Sequence, residues 1–273
     1  RMILTKSELE TYLQQIGLRK GETIMLHLSV KRIGWLVGGP DIMILALLEI
    51  LGAEGTLMMY AGWEDSPYGL PDWEADKKEK YLKECPAFDP IISRAVVNWG
   101  VLVERLRCWP GSYRSQHPDG SFVAVGKQAQ YLMHGHALHY GYGLQSPLHK
   151  LVKLEGRVLN IGAPLNTTTL LHYSEDRAEL PYKRIVKYTM PILTGGRQVQ
   201  WVSIVEFDTS KGIVAGYPGD YFTDLMQDYI TTHSIQKQYV GKASSYLFPA
   251  PHLHIFAKRW MEKQLLPYSQ IQI

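Results

Sequence analysis

The stretch TIMLHLSVKRIGWLVGGPDIMILALLEILGAEGTLMMY, residues 23–60, decides the fold predicted for this chain. Its first seven residues are typical of a short buried strand, and TLMMYAG, residues 56–62, is typical of a second one. The apolar run DIMILALLEIL between them has the length of a helix and ends before Gly52. A strand, a crossover helix and a second strand predict two parallel neighbours in one sheet.

The flanking sequence adds helices and strands around this unit. TKSELETYLQQIG, residues 5–17, predicts a helix because Thr5 and Glu8 have the spacing of a capping box. Residues 98–107 and the C-terminal part of the chain are also predicted to be helical. SPLHKLVKLEG, starting at Ser146, predicts a helix that this serine caps, and the apolar RVLNIG that follows is typical of a strand inside a parallel sheet.

A late hairpin is predicted at residues 186–208. There VKYTMPIL and VQWVSIVEFD alternate apolar and polar residues around a turn at Gly195 and Gly196. No internal repeat, low-complexity segment or interdomain linker interrupts the chain. The sequence therefore predicts the α/β class, with one domain over residues 1–273 and a mixed, mostly parallel sheet flanked by helices.

Composition argues against several classes of protein. The net charge of +3 and the lack of a long Lys/Arg run argue against a nucleic-acid partner. Cys85 and Cys108 are too few for a disulfide framework and fit a reducing compartment. No apolar stretch reaches the ~18 residues of a membrane span, and the first residues lack the apolar core of a signal peptide. We therefore expect a cytoplasmic protein without a membrane partner.

Residues 61–90 differ from the sequence on either side. They are rich in Pro, Trp, Tyr and acids, and they show no sustained periodicity. A connection of this length inside a compact domain is usually functional. The sequence therefore predicts a substrate loop rather than a linker.

The stretch NTTTLLHYSED, residues 166–176, follows an apolar strand, at the end where open α/β sheets place their sites. It predicts a helix capped by Asn166 or Thr167. A spacing of three places His172 and Glu175 on one helix face, where a carboxylate can fix the tautomer of an imidazole and raise its basicity. The pair thus predicts a general base. The alternative is a surface His-Glu pair with little energetic effect.

Metal binding is not predicted. A His and a Glu three residues apart occur in di-iron bundles, but those need a second such pair, which the sequence lacks. HGHALH, residues 134–139, carries three histidines without the helical spacing of a zinc protease.

The stretch HLSVKRIGWLVGGPD, residues 27–41, joins a strand to a helix through three glycines. A helix N-terminus approached by small residues binds phosphate through free backbone amides and the helix dipole. The stretch is neither a Walker loop nor a GxGxxG fingerprint, and a plain tight turn is the alternative. The nearby Ser29, Lys31 and Arg32 favour a pyrophosphate ligand.

Six motifs follow one another in a recognisable order: HLSVKRIGWLVGGPD, GTLMMYAGWEDSPY, CPAFDP, RSQHPDGSFVAVG, SPLHKL and IGAPLNTTTLLHYSE. With them the chain resembles, over about residues 5–210, the aminoglycoside 3-N-acetyltransferases, an antibiotic N-acetyltransferase family distinct from the GNAT enzymes. The resemblance implies that family's own α/β fold. It also implies acetyl transfer from acetyl-coenzyme A, as co-substrate, to the 3-amino group of a 2-deoxystreptamine antibiotic, which confers resistance.

The resemblance assigns roles to particular residues. The glycine loop after the first strand would hold the pyrophosphate and pantetheine of coenzyme A through backbone amides. The predicted coenzyme A contacts are Leu28, Ser29, Val30, Lys31, Gly34, Val37, Gly38 and Gly39. The H-x-x-E pattern matches His172 and Glu175 as catalytic residues, and His117 in SQHPDGS matches the family's other recurring histidine.

Acids and aromatic residues are expected around the antibiotic, because it is a polycation. The predicted substrate contacts are Glu64, Asp65 and Tyr68 in WEDSPY, with Glu206 and Asp208 in VEFD. For each of these acids the alternative is a solvated surface carboxylate.

The expected chemistry follows from these roles. His172 would remove a proton from the amine, and either Glu175 or Asp176 would orient the imidazole. The candidate oxyanion donors are the hydroxyls of Ser29, Thr167 and Thr168. Attack would be direct, without an acyl-enzyme.

Three other interpretations stay open. Cys85 or Cys108 could form a covalent intermediate, if either thiol lay beside a histidine. The same fold could acetylate another amine. The chain could also be a non-catalytic protein that binds coenzyme A or a polycation. We expect a monomer or a homodimer.

Overall fold

The computed structural model of the protein describes residues 2–194 and 197–270. In this part of the chain the strands are β1 (Ile3–Leu4), β2 (Thr23–Leu28), β3 (Trp35–Leu36), β4 (Thr56–Tyr60), β5 (Tyr113–Arg114), β6 (Phe122–Gly126), β7 (Arg157–Ile161), β8 (Ile185–Thr194), β9 (Gln198–Phe207), β10 (Gln238–Val240) and β11 (Ala243–Pro249). The helices are α1 (Lys6–Ile16), α2 (Val30–Ile33), α3 (Asp41–Leu51), α4 (Ala75–Glu84), α5 (Val101–Arg107), α6 (Ala129–Met133), α7 (Pro147–Lys153), α8 (Leu170–Arg177), α9 (Tyr221–Thr232) and α10 (Ala250–Gln264). Short 3-10 turns occupy Pro67–Asp72, Val97–Trp99, Leu165–Thr167 and Leu266–Tyr268.

The main sheet has the strand order β10-β11-β7-β2-β4-β6-β5. The predicted parallel pair β2–β4 is confirmed, and β7 lies parallel to β2 on its other side. The sheet is mixed, as predicted, but the expected parallel majority is wrong, because the other four pairings are antiparallel. An apolar strand pattern does not encode the direction in which a long connection brings the chain back.

Two long excursions of the chain lie at the carboxyl end of the parallel strands. Tyr60, the last residue of β4, pairs with Phe122, the first residue of β6. Likewise Ile161 at the end of β7 pairs with Ser245 near the start of β11. Each excursion therefore begins and ends at the same edge of the sheet, which brings both segments to one place.

The apolar strands are covered on both faces, as their composition predicts. Alternate residues of β2 point to opposite sides: Ile24 and Leu26 belong to the core beneath α1 and α3, and Met25 belongs to the core beneath α7, α8 and α10. Met58 of β4 lies in the same core as Met25. The sheet is thus the middle layer of three.

Helix α1 has the predicted capping box. The amide of Thr5 donates to Glu8 Oε2 (2.8 Å), and the amide of Glu8 donates to Thr5 Oγ1 (3.3 Å). At the other end Gly17 takes the left-handed conformation, with φ of 100°. Both caps of α1 can be predicted from the sequence, because the residues that form each cap are close together in the chain.

The glycine stretch after β2 was predicted to be a loop, and this is wrong in part. Residues 30–33 form α2, and β3 pairs in parallel with β1. Gly34 joins them with φ of 139°, and a Cβ there would lie 3.1 Å from the carbonyl oxygen of Met2. The partner of β3 is β1, near the N-terminus of the chain. The local sequence pattern around β3 gives no information about so distant a partner.

The predicted substrate loop is more ordered than its composition indicates. It contains the turn Pro67–Asp72 and then α4. None of the residues of α4 is buried, so the apolar periodicity that signals a helix is missing.

Helix α8 is present, but its predicted caps are wrong. Its N-cap is Thr169, because residues 165–167 form a separate 3-10 turn. Asn166 instead donates from its side-chain amide to Asp220 Oδ2 (2.7 Å), and Thr167 donates to the carbonyl of Pro164 (2.6 Å).

The predicted late hairpin is confirmed as a separate two-stranded antiparallel sheet of β8 and β9. Its predicted turn residues, Gly195 and Gly196, lie outside the described residues. Phe88 contacts Ile192 of β8 through an isolated bridge, so the 61–90 segment reaches this sheet. Within residues 2–194 and 197–270, no helix has both the length and the apolar character needed to cross a membrane.

Replacing Thr5 by Ala should lower the free energy of unfolding by about 1 kcal/mol, because the first turn of α1 loses its side-chain acceptor. Urea unfolding would measure this. Thr11→Ala is the matched control, since Thr11 lies within the same helix and donates to the carbonyl of Ser7. Equal losses in both variants would contradict the capping role.

Candidate active site

His172 and Glu175 meet on one face of α8, as the spacing predicts. The distance from His172 Nδ1 to Glu175 Oε2 is 2.6 Å. Glu175 is 1% exposed, whereas the imidazole is partly exposed and lines a cavity. Because Glu175 accepts the proton on Nδ1, the neutral ring carries its lone pair on Nε2.

The second oxygen of Glu175 is also bonded. Tyr221 of α9 donates its hydroxyl to Glu175 Oε1, and the amide of Ile213 donates to that hydroxyl (3.1 Å). The carboxylate therefore has a donor on each oxygen, which offsets part of its desolvation. This chain of hydrogen bonds fixes the orientation of His172.

Asp176, the other predicted partner of His172, lies elsewhere. Its Oδ1 is 3.5 Å from Arg177, and its carboxyl packs against the backbone of Gly143. Burial raises the pKa of this carboxyl. Of the two acids left open by the sequence, Glu175 is the one in contact with the imidazole.

His172 lines a cavity of about 820 Å³ at the carboxyl end of the parallel strands. Its walls are residues 26–31, residues 97–102 and the turn that precedes α8. Of the predicted coenzyme A contacts, four line this cavity: Leu28, Ser29, Val30 and Lys31. The other four are not among its lining residues within the described chain: Gly34, Val37, Gly38 and Gly39.

Residues 97–102 form a wall that sequence reasoning missed. The ring of Trp99 packs on Tyr60, with centroids 4.5 Å apart. A Cβ on Gly62 (φ 55°) would lie 2.4 Å from the Trp99 ring, so only glycine lets the indole approach this closely. This wall is difficult to predict from the sequence, because Val97 and Trp99 are exposed apolar residues outside any periodic pattern.

His27 is a second missed residue of the cavity. It is buried, and its Nε2 accepts the amide of Thr169, the N-cap of α8, at 3.4 Å. Burial lowers the pKa of His27 to about 4, so the ring is neutral at physiological pH. It therefore holds the start of α8 against β2.

The candidate oxyanion donors differ in availability. The hydroxyl of Thr168 donates to the carbonyl of Leu165 (2.7 Å), and Thr167 is engaged as described above. Ser29 is the N-cap residue of α2 and lines the cavity, and its hydroxyl makes no capping bond. Ser29 is therefore the hydroxyl best placed to donate to a ligand.

The geometry does not support the prediction that His117 is catalytic. Its Nδ1 accepts the amides of Asp119 (3.2 Å) and Gly120 (2.8 Å), and its Nε2 is 3.1 Å from the carbonyl of Leu138. The ring is buried, which lowers its pKa to about 4. Both nitrogens are occupied, so this histidine organises a turn.

The histidines of HGHALH also have structural partners. His136 lies 2.9 Å from Ser115 Oγ and 2.6 Å from the carbonyl of Gly141, and His139 Nδ1 accepts the amide of Val205. Within the described parts of the chain, no three His, Cys, Asp or Glu side chains are placed to hold a metal ion.

Three of the predicted antibiotic-binding acids already have partners, which argues against that role. Asp65 lies 2.7 Å from Arg94, and Glu64 accepts the amide of Val97 (2.8 Å). Asp208 is buried 3.2 Å from Arg184 and accepts the amides of residues 210 and 211. These carboxylates hold loops in place.

Glu206 and Tyr68 lie in a common region. Glu206 is buried, and it accepts the amides of Gly141 (2.6 Å) and Phe207 (2.8 Å). Burial raises its pKa to about 7. Tyr68 packs edge-on against Tyr188, with ring centroids 4.7 Å apart. A further acid near both, Asp119, was missed, although it stands in the HPDG sequence quoted for its histidine.

Comparisons with known proteins agree with this architecture. The family model of the aminoglycoside 3-N-acetyltransferases matches residues 25–262. Aminoglycoside N(3)-acetyltransferase III of Pseudomonas aeruginosa is 45% identical over 262 residues, which cover 95% of this chain and 94% of that protein.

Solved structures are similar over nearly the whole chain. AAC-IIIb in a binary complex with CoASH is 38% identical, with a TM-score of 0.88 and coverage of 100% of both chains. AAC-VIa bound to sisomicin is 33% identical, also with a TM-score of 0.88, over 96% of this chain and 98% of that one.

The buried histidines should make the protein sensitive to acid. The pKa values of His27, His117 and His254 are lowered by burial to about 4, so between pH 6.5 and 4 the unfolded chain binds more protons than the folded one. The raised pKa values of Asp119 (about 6) and Glu206 (about 7) oppose this in part. One net proton corresponds to about 1.4 kcal/mol per pH unit.

We therefore expect the free energy of unfolding to fall by at least about 1 kcal/mol per pH unit as the pH drops from 6.5 to 4.5. Denaturant unfolding at a series of pH values would measure this slope. A flat profile in that window would contradict the burial of neutral histidines.

Proposed function

The chain belongs to the aminoglycoside 3-N-acetyltransferase family, and we propose that it transfers the acetyl group of acetyl-coenzyme A to the 3-amino group of 2-deoxystreptamine aminoglycosides. The observation that carries the proposal is the His172–Glu175 pair at the wall of a large cavity. The bound CoASH and sisomicin of its structural relatives support the two ligands. Acetylation of the antibiotic would confer resistance, and we expect the enzyme to act in the cytoplasm.

His172 would act as the general base. An aminoglycoside amine is largely protonated and becomes a nucleophile after losing a proton. Glu175 keeps the proton of the imidazole on Nδ1, which leaves Nε2 to accept the proton of the amine. The negative charge of Glu175 then stabilises the imidazolium that forms.

Acetyl transfer would be direct. The amine nitrogen bonds to the thioester carbonyl carbon, and the carbon–sulfur bond breaks. The proton held by His172 passes to the leaving thiolate, and the second proton that the nitrogen must lose goes to solvent. Neither cysteine favours a covalent intermediate: Cys85 lies beside the carbonyl of Asp65, and Cys108 is exposed at the end of α5. Burial also raises the pKa of Cys85, which disfavours its thiolate.

Coenzyme A would occupy the cavity between residues 26–31 and 97–102. The exposed apolar side chains of Val97 and Trp99 suit the pantetheine arm, and Ser29 could donate to the oxyanion of the tetrahedral intermediate. Lys31 lies at the rim with its charge available for phosphate. The role of Gly38 and Gly39 in binding pyrophosphate stays a prediction.

His172→Ala should lower the turnover number by about 10²–10⁴-fold, because a positioned general base is lost. The KM for acetyl-coenzyme A should change little. Thiol release from acetyl-coenzyme A in the presence of kanamycin would measure both constants. Full turnover in a folded variant would remove His172 from the mechanism.

The partner of His172 can be tested in parallel. Glu175→Gln should also lower turnover, because the glutamine amide cannot stabilise the imidazolium as a carboxylate does. Asp176→Asn is the matched control and should keep most of the activity, since Asp176 does not contact the imidazole. The reverse pattern would mean that the wrong acid is assigned.

Trp99→Ala should raise the KM for acetyl-coenzyme A about 10-fold, the effect of losing roughly 1.4 kcal/mol of binding energy from an aromatic contact that the coenzyme would cover. Trp73→Ala is the matched control: Trp73 is similarly exposed (48% against 43%) and packs on Tyr81 instead. If both variants shift the KM equally, or neither does, the cavity is not the coenzyme site.

A further inference from the structure

The turn that carries Asp119 is held rigidly from beneath. The buried ring of His117 accepts the amides of Asp119 and Gly120, and it is anchored in turn to the carbonyl of Leu138. A Cβ on Gly120 would lie 3.1 Å from the hydroxyl of Tyr142, so the glycine allows this turn to approach the tyrosine closely. The backbone of Asp119 is therefore held in place by the fold before any ligand arrives.

The carboxylate of Asp119 accepts little hydrogen bonding from the described residues. Among the described residues its one hydrogen bond comes from Ser66 Oγ, at the long distance of 3.3 Å. By contrast, Asp208 accepts three hydrogen bonds and an ion pair, and Glu206 accepts two backbone amides. Burial raises the pKa of Asp119 to about 6, with only the bond from Ser66 opposing the shift. A carboxylate left in this state favours a bound cation.

The groups around Asp119 are suited to a cation. The charge of Asp119 raises the pKa of four nearby tyrosines and of a second acid: Tyr60, Tyr68, Tyr142, Tyr188 and Glu206. None of these neighbours is a cation, and the adjacent ring of His117 is neutral. Aromatic faces, hydroxyl oxygens and carboxylates all attract an ammonium group.

This region adjoins the catalytic pair. The ring of Tyr142 packs on the imidazole of His172, with centroids 5.2 Å apart. The hydroxyl of Tyr142 is 2.7 Å from that of Tyr60, which lines the same cavity as His172. Tyr142 therefore connects the turn of Asp119 to the catalytic pair.

We propose that Asp119 binds a second ammonium group of the aminoglycoside, one that is not acetylated, and so selects polyamine substrates and positions the reacting amine at His172. This inference rests on the proposed function and names the group that recognises the substrate. His117 acts through Asp119 as a positioning residue and takes no part in proton transfer.

Asp119→Asn tests the proposal because it keeps the shape and removes the charge. With neamine as substrate, we expect the KM for neamine to rise about 10- to 100-fold, the effect of losing a charge-assisted hydrogen bond. The KM for acetyl-coenzyme A should stay within about twofold of wild type. Asp224→Asn is the matched control, since the carboxylate of Asp224 also accepts one hydroxyl, from Tyr217 at 2.8 Å. An unchanged KM for neamine in Asp119→Asn would overturn the proposal.

A stability measurement separates recognition from a structural role. A raised carboxyl pKa means that Asp119 lowers the stability of the fold as the pH rises from about 4, where it ionises in the unfolded chain, and that this loss is complete above about pH 6. Asp119→Asn should therefore melt at or above the wild-type temperature at pH 8, with a smaller difference from wild type at pH 5. A variant that melts far below wild type at pH 8 would show that the carboxylate is structural, and the proposal would fall.

Calorimetric titration of neamine into the protein with coenzyme A distinguishes this inference from the proposed function. If the wild type binds neamine but releases no thiol, the proposed activity is wrong, while weaker binding to Asp119→Asn still supports the ammonium site. If wild type and variant bind neamine equally, or if the wild type does not bind it, the ammonium site is wrong.

Discussion

The buried carboxylate of Glu175 is the group on which the site depends. At 1% exposure it has lost its hydration, and its charge is stabilised by the ring of His172 on one oxygen and the hydroxyl of Tyr221 on the other. These bonds join α8 to α9 and set the tautomer of the imidazole. The backbone of Ile213 completes the chain of donors, so a residue that does not line the cavity takes part in orienting the base.

Two kinds of buried or partly buried titratable group lie near this pair. His27 and His117 are neutral and accept backbone amides, so they serve as rigid supports for the N-cap of α8 and for the turn of Asp119. Asp119 and Glu206, by contrast, are acids whose ionised forms burial disfavours. Proteins tolerate such destabilising groups mainly where function requires them, and a polycationic substrate would supply the missing charge.

The predictable part of the fold was the part with local signals. The strand–helix–strand unit, the capping box at Thr5 and the hairpin of β8 and β9 follow from short-range periodicity and from caps. The antiparallel direction of β6 and β11 could not be predicted in this way. It depends on where a long connecting segment comes back to the sheet. Helix α4 was missed because it buries no residue and so has no apolar stripe.

The same division holds for the site. By itself the sequence determined that His172 and Glu175 share a face, because three residues along a helix nearly complete a turn. Only the tertiary structure decided which acids are free to act. Asp65 meets Arg94, 29 residues away, whereas Asp119, within the described part of the chain, accepts a hydrogen bond only from the hydroxyl of Ser66. The path of the chain through space brings such partners together. The residues next to a carboxylate in the sequence do not encode that path.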